Sequence, residues 1–157
     1  MEKIISWENI AKIRKNKILV TTNGSFDILH VGHLRILQQA KKCGDILLVL
    51  VNSDVSVKLN KGDSRPIIPL AERMEMLAGL ACVDYVMSFD EKEVLFALEK
   101  IKPDIHVKGG TFIPACIEKE KKLVECYGGK HICLSIVEGY STTNIIEKIK
   151  LIVGMPV

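Results

Sequence analysis

No CxxC pair occurs among the five cysteines, Cys43, Cys82, Cys116, Cys126 and Cys133. An odd, scattered set excludes a disulfide framework and points to reduced thiols in a cytoplasmic setting. His131 and Cys133 with Cys126 come nearest to a zinc set, but their spacing matches no familiar site. The thiols therefore read as core or surface residues, and no metal ligands are assigned. No apolar run approaches the roughly 20 residues needed to span a bilayer. Met1 to Ser6 is short and soon polar, unlike a signal peptide. Net charge is only +3, so composition gives no case for nucleic acid or an anionic membrane surface. Repeats, low-complexity tracts and long linkers are also missing. What remains, at 157 residues and 48% hydrophobic content, is one domain over 1–157 with a substantial core. Residues 1–16 read as an N-terminal helical extension, in which Ser6 is expected to cap a helix over 6–14.

Apolar β-rich runs alternate with helical patterns. Lys17–Thr22, Ile46–Val51, Val83–Ser88, Ile105–Val107 and His131–Val137 read as strands. The first two lack polar alternation, as parallel strands covered on both faces do. Helices are expected near 31–43, 70–81, 91–101, 117–127 and 142–153. This order predicts an α/β fold, a doubly wound five-stranded parallel sheet with helices on both faces. Residues 58–69, rich in Gly, Pro and charge, read as the most mobile loop. Ligands of such sheets bind beyond the carboxyl ends of the strands. Four polar segments, 23–33, 52–65, 108–112 and 138–144, follow strands and would converge there.

The first is "NGSFDILHVGH". Gly24 lets the chain turn after the strand, and Gly32 leaves no side chain between His30 and His33. The two imidazoles share one face of a helix start whose free N–H groups attract anions. Partly exposed histidines or a metal pair beside Asp27 are the alternatives; with the strand and turn in place, phosphate binding is the better reading. In the second segment Lys58, Lys61 and Arg65 crowd the 58–69 loop, where mobile cations suit a polyphosphate. Arg73 follows on a helix and either faces solvent or turns back to the site. The third places Lys108, Gly109 and Gly110 after a short strand. The fourth, "EGYSTTNII", offers hydroxyls from Ser141, Thr142 and Thr143 at a second helix N-terminus. A cap needs only one of them.

"HVGH" at the first strand-to-helix turn, with "STT" opening the final helix, resembles the HxGH nucleotidyltransferase superfamily from about Ile18 to Ile149. Within it, "TNGSFDILHVGH", "GDILLVLVNSDVSVKLNKGDSRPIIPLAERMEML", "VKGG" and "EGYSTTNII" resemble the D-glycero-β-D-manno-heptose 1-phosphate adenylyltransferases of ADP-heptose synthesis. Such a domain is often the C-terminal half of a bifunctional kinase–adenylyltransferase. Two places differ. Where that family has aspartate and tyrosine after "VKGG", this chain has Thr111 and Phe112, and the segment after Pro114 diverges. Alditol-phosphate cytidylyltransferases share HxGH and "EGxSTT" but carry arginine where this chain has Ile136.

The resemblance implies that a sugar 1-phosphate oxygen attacks the α-phosphorus of ATP and pyrophosphate leaves. His30, His33 and Lys61 would be catalytic. Asn23, Gly24, Ser25, Phe26, Gly32, Arg73, Lys108, Gly109, Ser141, Thr142 and Thr143 would bind nucleotide. Asp27, Asp54, Arg65 and Thr111 would face the acceptor. Mg²⁺ would enter with the triphosphate, relatives suggest a homodimer, and a separate kinase and phosphatase would supply the heptose 1-phosphate.

Overall fold

The computed structural model describes residues 3–14, 16–109, 114–135 and 139–154. Five strands, β1 Leu19–Gly24, β2 Ile46–Asn52, β3 Tyr85–Phe89, β4 Ile105–Lys108 and β5 Lys130–Cys133, form one parallel sheet in the order β3-β2-β1-β4-β5. The chain winds outward from β1 to β3, then returns to the other side of β1 for β4. That reversal leaves a crevice where β1 and β4 end side by side.

β2, "ILLVLVN", is buried along its whole length, which explains its unbroken apolar run. Strand pleating sends Leu19, Ile46, Leu48 and Leu50 to one face, where they join Leu98 and Ile101 of α5 (Leu95–Ile101) and Val124 of α6 (Pro114–Cys126). Val20, Leu47, Val49 and Val51 go to the other face. There they meet Leu37 of α2 (Val31–Lys41) with Met74 and Leu77 of α4 (Leu70–Ala78).

Several boundaries move for visible reasons. The Lys17 N–H bonds back to the Arg14 carbonyl, so β1 starts at Leu19 and runs on to Gly24. The expected N-terminal helix is a 3-10 turn, Trp7–Asn9, followed by a short α1, Ile10–Arg14, of which only Ile13 is buried. Part of the expected last strand, at 136–137, lies outside the described residues. The largest departure is α3, Asp54–Lys61, in a stretch that reads as a charged loop. Ser53 caps it, its Oγ accepting the Ser56 N–H at 3.2 Å, while the Asn52 amide donates to Ser56 Oγ at 2.8 Å. Lys58 and Lys61 therefore stand on a helix, and the irregular loop shrinks to 62–69. α7, Thr142–Val153, closes the described fold. Among the described residues no helix is long and apolar enough to cross a membrane.

Candidate active site

A cleft of about 640 Å³ opens at the crevice between the ends of β1 and β4. All four polar segments reach it, through Asn23 to Phe26, Asn52 and Lys61, Lys108 and Gly109, and Tyr140 to Thr143. Gly110, Thr111, Phe112, Ile136 and Glu138 lie outside the described residues.

His30 is the N-cap of α2 and His33 stands one turn in. Their rings stack at 3.8 Å between centroids, and Phe26 packs edge-on to His33 at 5.2 Å. Nδ1 of each histidine is buried without a partner among the described residues, so each can still accept or donate one hydrogen bond. Burial lowers the pKa of both. For His33 it falls to about 4, with the charges of His30 and Lys61 adding to the effect of burial. The unliganded pair is thus neutral at neutral pH, and a triphosphate would supply the negative charge that favours protonation.

The glycines act differently from the sequence expectation. A Cβ on Gly32 would sit 3.0 Å from the His30 ring and 3.0 Å from Tyr140 Cβ. His30 folds back against Gly32, which still lines the cleft. Gly24 ends β1 without making the turn itself. A Cβ there would meet the Phe26 ring at 3.1 Å, and it is Phe26 that takes the left-handed φ of 47°. Gly109 lets β4 end tightly against α2, since a Cβ would lie 2.5 Å from Ile36 Cγ2.

Two lysines enter from opposite sides. Lys61 Nζ donates to Ser25 Oγ at 2.8 Å, and loss of hydration beside the Arg65 cation lowers its pKa. Lys108 Nζ donates to Asn23 Oδ1 at 2.9 Å and to Glu120 Oε1 at 2.7 Å. Ser141 caps α7 by accepting the Asn144 N–H at 3.0 Å, and Thr142 donates to the Ile28 carbonyl at 3.4 Å. Thr143 lines the cleft. The N-termini of α2 and α7 therefore border one cavity, a pairing suited to a polyanion.

Four expected contact residues lie elsewhere. Arg73 is 1% exposed, and its guanidinium donates to the carbonyls of Ser25, Asn52 and Ile68 and pairs with Asp54 at 2.7 Å. Those bonds use four of its five N–H donors, and Arg73 braces the residues around the cleft without lining it, although a nucleotide contact was expected of it. Asp27 is buried, paired with Arg65, and accepts the N–H groups of Ile67 and Ile68 at 2.8 and 2.9 Å. Asp27, Arg65 and Asp54 brace the loop and α4 below the cleft and do not line it. Conversely, Asn60, Lys92, Glu93, Val94, Leu95 and Glu120 line it without having been singled out. The α3 register brings Asn60 there, the β3–α5 connection and the start of α5 bring Lys92 to Leu95, and α6 brings Glu120; none of these is written in a short motif.

A family model described as cytidylyltransferase-like matches residues 21–148. The bifunctional protein HldE of Syntrophotalea carbinolica is 49% identical over 136 residues, which is 87% of this chain and 28% of that protein. Its namesake in Hydrogenovibrio crunogenus is 47% identical over 149 residues, 95% of this chain and 31% of the relative. The chain thus spans under a third of the length of these curated relatives. Among solved structures, a lipopolysaccharide core biosynthesis protein from Thermoplasma volcanium superposes with a TM-score of 0.65. It is 31% identical, and the match covers 78% of this chain and 99% of the other. A pantoate-beta-alanine ligase from Francisella tularensis, 18% identical, has the same TM-score of 0.65 over 98% of this chain and 79% of its own; it shares the fold.

Proposed function

Because the chain belongs to the cytidylyltransferase-like family, we propose that its cleft moves AMP from ATP to a sugar 1-phosphate. The acceptor in this reading is D-glycero-β-D-manno-heptose 1-phosphate. One of its phosphate oxygens bonds to the α-phosphorus, the bond from that phosphorus to the α–β bridging oxygen breaks, and pyrophosphate leaves with the electron pair. ADP-heptose is the other product. The observation that carries the reading is the stacked His30–His33 pair at the N-terminus of α2, whose Nδ1 atoms have no partner among the described residues, with the N-terminus of α7 and Lys61 lining the same cleft.

The acceptor phosphate is already anionic, so the reaction asks for alignment and charge neutralisation rather than a general base. His30 and His33 donate to triphosphate oxygens as negative charge builds on the leaving group. Lys61 exchanges Ser25 Oγ for a phosphate oxygen, and Ser141 to Thr143 hold the nucleotide from the other side. Mg²⁺ enters with the triphosphate as part of the substrate. Asp27, the carboxylate nearest the histidines in sequence, already has both oxygens engaged. Phosphate and water ligands would therefore supply most of the ion's coordination. Thr111, which lies outside the described residues, is assigned to acceptor binding on the family resemblance alone. A homodimer, a cytoplasmic setting and an upstream kinase and phosphatase complete the proposal.

A matrix of nucleotides against acceptors, read as pyrophosphate release, tests it. ATP with the heptose 1-phosphate should give the highest kcat/KM, and His30→Ala or His33→Ala should each lower kcat at least about 10²-fold with the fold intact. Preference for CTP with glycerol 3-phosphate would assign the chain to the alditol-phosphate group. Nucleotide binding without turnover would make it a regulatory module.

A further inference from the structure

Beneath the cleft the sheet carries a row of polar side chains that the proposed reaction does not use. In the parallel registers Thr21 of β1 lies beside His106 of β4, and His106 beside His131 of β5. All three point to the face covered by α6, which brings down Glu120. His106 and the His131 side chain are 0% and 1% exposed, and the Glu120 side chain is 6% exposed. Each imidazole Nε2 stands 3.6 Å from Glu120 Oε2. That is too long for a hydrogen bond, and all three atoms are buried without a partner among the described residues.

We propose that His106, Glu120 and His131 form a metal site that takes a zinc-like divalent ion with one coordination position left open. The three ligand atoms lie within 4.8 Å of one another. Ligand atoms on a tetrahedral zinc ion, each about 2.0–2.2 Å from it, stand roughly 3.3–3.6 Å apart, close to the two separations seen here. The surrounding groups suit the same purpose. Thr21 Oγ lies 2.9 Å from His106 Nδ1; by accepting that N–H it fixes the tautomer that leaves Nε2 as a lone pair. His131 Nδ1 has Cys133 Sγ at 3.8 Å as a weak acceptor. Lys108 occupies only Oε1 of Glu120, so Oε2 is free to ligate. Two imidazoles and a carboxylate are the donor set of a three-residue zinc centre, drawn here from three separate elements. The ion would tie β4, β5 and α6 together and hold Glu120 where its other oxygen positions Lys108 against Asn23. It takes no part in the phosphoryl step.

The purified chain, stripped with a chelator, is titrated with ZnCl₂ against a chromophoric competitor and, separately, with CoCl₂. One ion per chain should bind with a dissociation constant below about 1 µM, and excess zinc should raise Tm by at least about 5 °C. The cobalt form should show four-coordinate visible bands without a thiolate charge-transfer band. His131→Ala should weaken zinc binding at least about 100-fold, and Thr21→Val, acting only through His106, about 10-fold. Cys126→Ser should change nothing. Absence of stoichiometric binding to the parent chain, a thiolate band, or full affinity in a folded His131→Ala overturns the proposal. If His131→Ala does not fold, the parent titration and Thr21→Val decide it.

Discussion

Arg73 offers the sharpest test of how the cleft is held. Replacing it with methionine keeps much of the side-chain volume but removes every donor. The carbonyls of Ser25, Asn52 and Ile68 would lose their partner, and Asp54 its counter-ion. Charge-assisted bonds are worth about 1.5–3 kcal/mol each when one side is removed. The Asp54 arm counts for little because its carboxylate is 43% exposed and can rehydrate. Non-additivity and the methionine's own packing reduce the rest, leaving a cost of about 3–5 kcal/mol. For a chain of this size that is a fall in Tm of about 6–20 °C. The Ser25 carbonyl belongs to the same turn as the Ser25 hydroxyl that meets Lys61, so KM for the nucleotide should rise as well. Arg73→Lys should recover only part of both, because one ammonium cannot span three carbonyls. Calorimetry and initial-rate kinetics read the two effects. A Tm within about 2 °C of the parent would refute the bracing role. An unchanged KM in a destabilised variant would confine that role to the fold.

Lys61→Ala should lower activity while leaving Tm nearly unchanged, since among the described residues its ammonium meets only the half-buried Ser25 hydroxyl; a Tm loss as large as that of Arg73→Met contradicts this. His33 has a folded pKa of about 4 against about 6.5 unfolded, so the unfolded chain binds more protons between those values. Its contribution to stability is complete above pH 6.5 and is lost, up to about 3 kcal/mol, as pH falls towards 4. His33→Gln should flatten that part of the profile in urea titrations, and parallel profiles would show that His33 is not the group responsible. Gly109→Ala forces Ile36 aside and should cost about 1–3 kcal/mol by thermal unfolding, and Ile36→Ala in the same chain should recover most of it.

The parts of this molecule that were legible in its sequence are those where one local signal decides the outcome. The apolar run of β2 specifies a strand covered on both faces, and "HVGH" after β1 places two imidazoles at a helix start whatever surrounds them. α3 was hidden because its apolar residues, Val55, Val57 and Leu59, fall at every second position among polar ones instead of at helical spacing, and the Asn52–Ser56 bond that anchors it has no counterpart in hydropathy. Arg73 read as a surface or ligand-facing cation because its four partners lie 5 to 48 positions away in the chain. His106 and His131 became neighbours only through strand register, and that pairing aims His131 Nε2 at Glu120 and leaves Nδ1 beside Cys133, a different grouping from the Cys126–His131–Cys133 set considered from the sequence.

The reversal of winding at β1 has a thermodynamic consequence. One wall of the cleft comes from the β1–β2–β3 half of the chain, the other from β4, Tyr140 and the start of α7, and Thr142 reaches Ile28 across 114 positions. A nucleotide lying between the walls would act as a reversible cross-link between halves that also meet along the β1–β4 seam and in the core under α6. Any opening that parts that seam must first release the ligand. At a ligand concentration 100 times its dissociation constant such openings become about 2.7 kcal/mol harder, while fraying of α1, which the ligand does not touch, keeps its own rate. Substrate concentration would then set how often the two halves separate.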